Sequence, residues 1–149
     1  MFVLADLTLP SGCKWYHQDE EQAVATCAHI KVQAVEEPEA TIEEGVVMYP
    51  RCTIDAGVTI KSGTLLNNSV TVSHDTTIEK CCYISPGVTI SGRVSVKERC
   101  FLGTGSLVAN DVAIGADSII GIGSVITKTL PQHTKGLGNP FTIKNIQLQ

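Results

Sequence analysis

The 149-residue chain has no apolar run of eighteen residues, so no stretch of it reads as a membrane-spanning helix. It has no surplus of positive charge. Its 11 Lys and Arg stand against 15 Asp and Glu, a formal net charge of −4, which gives nucleic acid no electrostatic footprint. The first residues, MFVLADLTLPSGCK, lack the basic n-region and the apolar length of a secretory signal. Together these absences make a cytoplasmic protein the expectation. No two of the six cysteines have the CxxC spacing of a zinc site. The length suits one modest domain.

A repeat organises most of the chain. Stepping by six from Ile54 meets Ile60, Leu66, Val72, Ile78, Ile84, Ile90, Val96, Leu102, Val108, Ile114, Ile120 and Ile126, aliphatic at every step. A period of six fits neither a helix nor a simple alternating strand; it fits a solenoid of short strands and turns. Two residues before each aliphatic lies a small or β-branched residue, from Cys52 and Val58 to Ser118 and Ser124. A strand puts residues i and i+2 on one face, so both sets point inward. Cys52, Cys82 and Cys100 occupy these small inward sites and read as reduced core thiols. Cys81 is expected at a turn, and its adjacency to Cys82 argues against a bridge between them.

Each aliphatic is followed by turn residues such as DAG, KSG, NNS, SPG, GTG and GIG. Three hexads then make one triangular coil, with Ile42 and Met48 in phase. About five coils run from about residue 40 to 129, a prism about 24 Å tall at the usual spacing of stacked strands. The division that follows is a short N-terminal segment, 1–38, suited to a cap; a coiled domain, 39–129; and a C-terminal extension, 130–149.

Side chains three hexads apart lie one above another. One corner collects SPG (85–87), GTG (103–105) and GIG (121–123), aligning Gly87, Gly105 and Gly123 beside Ser85, Gly103 and Gly121. The other corners, with SHD, SGR, AND and EKC, KER, GAD, carry more side chains. A thin ligand with amide groups, such as a pantetheine arm, fits the bare edge. A second corner collects His74, Gly92 and Asn110, and His74 is the one histidine within the coils. A neutral imidazole there can take a proton from a hydroxyl or amine, and Asp75 can orient it. Gly92, directly above, leaves room for a ligand.

The stretch VSHDTTIEKCCYISPGVTISGRVSVKERCFLGTGSLVANDVAIGADSIIGIGSVITK resembles the sugar acetyltransferases of the hexapeptide-repeat type that modify sialic acids and UDP-4-amino sugars. Their pattern is close to HDxxIGxxxHISPG, then GG, FIGxG and IVGAGxVVTK; the likeness covers about residues 39 to 141. It implies an all-β, left-handed parallel β-helix, usually trimeric, an exception to right-handed crossovers. It implies acetyl-CoA as acyl donor, no metal, and a small-molecule acceptor, a sugar or sugar nucleotide. It implies His74 as general base at a subunit interface with Asp75 as its support, and acetyl-CoA contacts at Gly92, Gly103, Thr104, Gly121 and Ile122. The Gly92 N–H would stabilise the oxyanion, and Lys128 and Lys135 would meet the adenosine phosphates. Where the family has a second histidine before ISPG, this chain has Tyr83, whose hydroxyl can donate a similar hydrogen bond to the thioester. The segment before residue 39 is too short for the family's N-terminal Rossmann-like domain and carries no Gly-rich phosphate loop.

Two other classes fit the repeat. A metal-dependent hydratase on this fold needs three histidines at a subunit boundary, and one is present in the coils. A catalytically impaired scaffold or assembly module is the alternative to the enzyme.

Overall fold

Each hexad supplies a short strand, with one side chain outward and one inward, and then turns. The computed structural model describes residues 35–36 and 39–144. Among them are eighteen strands, β1 to β18 in chain order, and no helix. They stack into three sheets. The first holds β1 (Val35–Glu36), β4 (Thr53–Ile54), β7 (Thr71–Val72), β10 (Thr89–Ile90), β13 (Leu107–Val108) and β16 (Val125–Ile126). The second holds β2 (Thr41–Ile42), β5 (Thr59–Ile60), β8 (Thr77–Ile78), β11 (Ser95–Val96) and β14 (Ala113–Ile114). The third holds β3 (Val47–Met48), β6 (Leu65–Leu66), β9 (Tyr83–Ile84), β12 (Phe101–Leu102), β15 (Ile119–Ile120), β17 (Lys135–Leu137) and β18 (Thr142–Ile143).

Pairing between coils is parallel and in strict vertical register. Thr71 lies on Thr89 and Thr89 on Leu107, each step being three hexads. The fifteen strands from β2 to β16 make five three-sided coils. All thirteen aliphatic residues of the six-residue step are buried, most of them completely. So are the thirteen small residues before them. The small polar ones reach turn carbonyls: Thr64 Oγ1 donates to Glu79 O at 2.8 Å, Thr76 Oγ1 to Ser91 O at 3.0 Å, and Ser106 Oγ to Gly103 O at 2.6 Å. Each buried hydroxyl is thereby satisfied where an unpaired one would cost about 1–3 kcal/mol. Cys52, Cys82 and Cys100 are buried and free, as expected. Burial pushes the Cys82 thiol well above its usual range. Cys81 sits at a turn with φ of 59°. It is disulfide-bonded, while the reduced reading of the three core cysteines holds.

The corners are made by left-handed backbone. Positive φ recurs at every sixth position from Gly45 to Gly123, at Asp75 (56°), Arg93 (58°) and Asp111 (61°) among others. A non-glycine residue in that region costs about 1–2 kcal/mol, least for Asp and Asn. The ladder between coils compensates: Asp75 N–H donates to Ala56 O at 3.0 Å and Arg93 N–H to His74 O at 2.9 Å.

Past Ile126 the step shortens. Leu130 bridges Ile114 and Lys135 pairs with Ile119, both closer in sequence than three hexads, before β18 folds back antiparallel on β17. Of the expected N-terminal cap, 1–38, the described part is Val35–Glu36, which stacks in register on β4; the rest lies outside the described residues. None of the described residues forms a helix long and apolar enough to cross a membrane.

Candidate active site

His74 and Asp75 occupy the turn that follows β7. The His74 Nδ1 lies 2.9 Å from Asp75 Oδ2. An ionised carboxylate only accepts, so Nδ1–H donates to it, and in the neutral imidazole Nε2 then keeps its lone pair. The His74 side chain is 44% accessible, enough to meet a substrate yet fixed at one nitrogen. Adjacent residues reach each other because the left-handed turn at Asp75 breaks the alternation of a strand.

The glycines around this pair make room for it. A Cβ on Gly92 would stand 2.5 Å from His74 Nε2, so the ring lies over Gly92. This corrects the expectation that Gly92 leaves space for a ligand: that space holds the imidazole itself. One coil below, a Cβ on Gly57 would stand 2.6 Å from Asp75 Oδ1. Gly57 therefore admits the carboxylate in the orientation that puts its other oxygen on His74. The Gly57 column continues upward as Asp75, Arg93 and Asp111. Arg93 grips Asp111 with two bonds, Nε to Oδ1 at 2.7 Å and Nη2 to Oδ2 at 2.9 Å. The guanidinium holds the Asp111 carboxyl below its usual range, and the nearby His74 adds to this. Sequence reading missed both Gly57 and this pair. The legible signal was opposite charge at a separation of three hexads, which recurs in Arg99 and Asp117 at 2.7 Å.

The bare edge is present. A Cβ added at Gly87, Gly105 or Gly123 would meet nothing within 4 Å. Their amides are tied to the coil below, Gly105 to Pro86 O at 3.0 Å and Gly123 to Thr104 O at 2.8 Å. Ile122 stands 72% exposed on this edge, with Thr104 exposed below it. Gly103 and Gly121 serve another purpose. A Cβ on Gly103 would come within 2.7 Å of the Gly121–Ile122 backbone, and one on Gly121 within 2.6 Å of Leu137. Their carbonyls are taken by Ser106 and Ser124, each at 2.6 Å. Close stacking of coils, and not exposure of the backbone, requires glycine at these two positions.

His74, Asp75 and Gly92 are thus brought together, and so are Gly103, Thr104, Gly121 and Ile122. The two groups lie on different edges, since the first sheet runs between the turn after β6 and the turn after β7. Tyr83 lies on the face of the third sheet. Its ring stacks on Phe101 at 5.5 Å and its hydroxyl accepts from Asn67 Nδ2 at 3.2 Å. Lys128 is exposed at the top of the His74 corner, whereas Lys135 is half-buried on β17. Among the described residues no cluster of three His, Cys, Asp or Glu side chains could hold a metal ion.

The geometry defines the class: a hexapeptide-repeat left-handed parallel β-helix, the fold of its solved structural neighbours, which are acetyltransferases. One is the acetyltransferase domain of PglB from Neisseria gonorrhoeae FA1090 in complex with acetyl coenzyme A. It is 31% identical with a TM-score of 0.73, over 74% of this chain and 54% of that one. Another is GDP-perosamine N-acetyltransferase from Caulobacter crescentus, a histidine-to-alanine mutant in complex with CoA and GDP-perosamine. It is 34% identical with a TM-score of 0.74, over 76% of this chain and 54% of that one. The chain therefore spans about half the length of these neighbours. No family model matches the chain, and no curated protein matches it.

Proposed function

We propose that this protein is an acetyltransferase that moves the acetyl group of acetyl-CoA to a hydroxyl or amine of a sugar or sugar-nucleotide-like acceptor. The observation that carries the reading is the His74 imidazole, fixed at Nδ1 by Asp75 and free at Nε2. The fold agrees, because neighbours above 30% identity are acetyltransferases in complex with acetyl-CoA, or with CoA and a nucleotide sugar.

Acetyl-CoA supplies an acyl group already activated as a thioester, so no covalent enzyme intermediate is required. Nε2 of His74 takes the proton of the acceptor as its oxygen or nitrogen attacks the thioester carbon. The carbon–sulfur bond breaks, and the proton held on Nε2 passes to the departing thiolate. The Gly92 N–H is assigned the developing oxyanion. Thr104, Ile122 and the open Gly87–Gly105–Gly123 edge are assigned the pantetheine arm, and Tyr83 a contact near the thioester. Because one rod carries the base and the bare edge on different edges, a complete site needs His74 of one copy against the edge of the next. A homotrimer supplies that arrangement.

Thermal-shift titration with CoA tests donor binding. A specific ligand at a hundredfold excess over Kd stabilises by about 2.7 kcal/mol. Acetyl-CoA consumption across a panel of amino sugars and nucleotide sugars then tests transfer. His74→Ala is expected to lose about 10²- to 10⁴-fold in kcat with the CoA shift retained. No CoA shift favours the scaffold alternative; a shift with undiminished turnover in His74→Ala removes His74 from the mechanism.

A further inference from the structure

The left-handed column beside His74 poses a choice that its counterpart at the next corner does not. Arg93 sits between two carboxylates, Asp75 one coil below and Asp111 one coil above, at the same left-handed position in each coil. At the next corner Arg99 has Asp117 above it and Cys81 below, so it has one carboxylate in its column. Arg93 bonds Asp111 through both of its teeth, at 2.7 and 2.9 Å. Asp75 meanwhile keeps Oδ2 on His74 at 2.9 Å and fits Oδ1 over Gly57. A bidentate guanidinium–carboxylate pair is stronger than a single imidazole–carboxylate hydrogen bond, so an unpaired Arg93 would capture Asp75.

We infer that Asp111 is a positioning residue: by holding Arg93 it reserves the Asp75 carboxylate for His74. Removing Asp111 leaves Asp75 as the carboxylate in the Arg93 column. The guanidinium turns down, the Asp75 carboxylate leaves Nδ1, and His74 loses the bond that fixes its tautomer. The consequence for catalysis rests on the reading of His74 as the base; the competition for Asp75 does not.

The test uses glycine at both positions, because Arg93 and Asp111 have φ of 58° and 61° and glycine keeps the turn. The imidazole nitrogens of His74 are followed by ¹⁵N NMR in the parent, Asp111→Gly, Arg93→Gly and the double variant. The parent is expected to show Nδ1 protonated and Nε2 bare. Asp111→Gly should move both signals toward a mixture of tautomers and lower kcat on the acceptor found by screening by about 10- to 100-fold. Adding Arg93→Gly should return the His74 signals, and the rate, to those of the parent. A merely structural role for Asp111 predicts the reverse, with the double variant no better than Asp111→Gly. Unchanged His74 signals in Asp111→Gly, or no recovery in the double variant, overturn the inference. Recovered signals in a protein whose His74→Ala variant still transfers acetyl groups would uphold the competition and refute the base.

Discussion

His74 has one ring nitrogen committed to Asp75 and the other lying over a glycine. Both facts follow from backbone shape. The turn at Asp75 lets neighbouring side chains converge, and Gly92 offers the flat floor on which the ring rests. A methyl group at Gly92 would lie 2.5 Å from Nε2 and must displace the ring. Gly92→Ala is therefore expected to lower kcat by about 10²-fold, the scale of a misplacement of about 1 Å, while CoA still raises the melting temperature. Steady-state kinetics with a thermal-shift control checks this, and wild-type turnover in Gly92→Ala would refute the described seat of His74. The histidine, its aspartate and the glycine were legible in the sequence, because the three-hexad period places residue 92 over residue 74. What the glycine does was not legible. Sequence shows that a side chain is missing, but not whether ligand or protein fills the gap.

At the scale of the hexad, the sequence was close to a construction rule. Its two inward columns, aliphatic and small, are buried without exception from Cys52 to Ile126. The rule needs no long strand, because each short segment is held by neighbours one coil away on both sides. The end of the six-residue step was legible, since it next falls on Gln132, but the shortened step by which Leu130 meets Ile114 and the register moves by two was not. The core thiols offer a probe of this scale. Burial is the first cause raising the Cys52 and Cys82 thiols, and the thiolate is the reactive form. In mildly alkaline buffer a thiol reagent is expected to leave Cys52, Cys82 and Cys100 unmodified in the native protein and to modify all three in denaturant. Peptide mapping after labelling reads the result; rapid native labelling of any of the three would show that the inward columns open. The Arg93–Asp111 and Arg99–Asp117 pairs clamp the outside of successive coils. Their carboxyls titrate below the usual range, so their support is present above the ordinary carboxylate pKa and is lost as the pH falls through the lowered one. Both pairs are exposed, which keeps that support small.

The described residues form a three-sided rod with its two candidate groups on separate edges. One edge carries a positioned imidazole; the other is stripped of side chains at Gly87, Gly105 and Gly123. The continuous ladders between coils keep the two edges apart within one rod, so the proposed transfer needs both to be brought together from different copies. On the proposed reading, association of copies side by side brings the two edges together. The acceptor is the part of the proposal least written in the coils, since the repeat specifies the rod and its bare edge. The central claim is that His74 of one copy faces an acetyl group laid along the glycine edge of another. A crystal structure of the protein grown with acetyl-CoA tests it most directly. The account predicts the pantetheine arm along Gly87, Gly105 and Gly123, with the thioester carbon facing Nε2 of His74 from the adjacent copy. Acetyl-CoA bound elsewhere on the rod, or along that edge with His74 remote from the thioester in every copy, would contradict it.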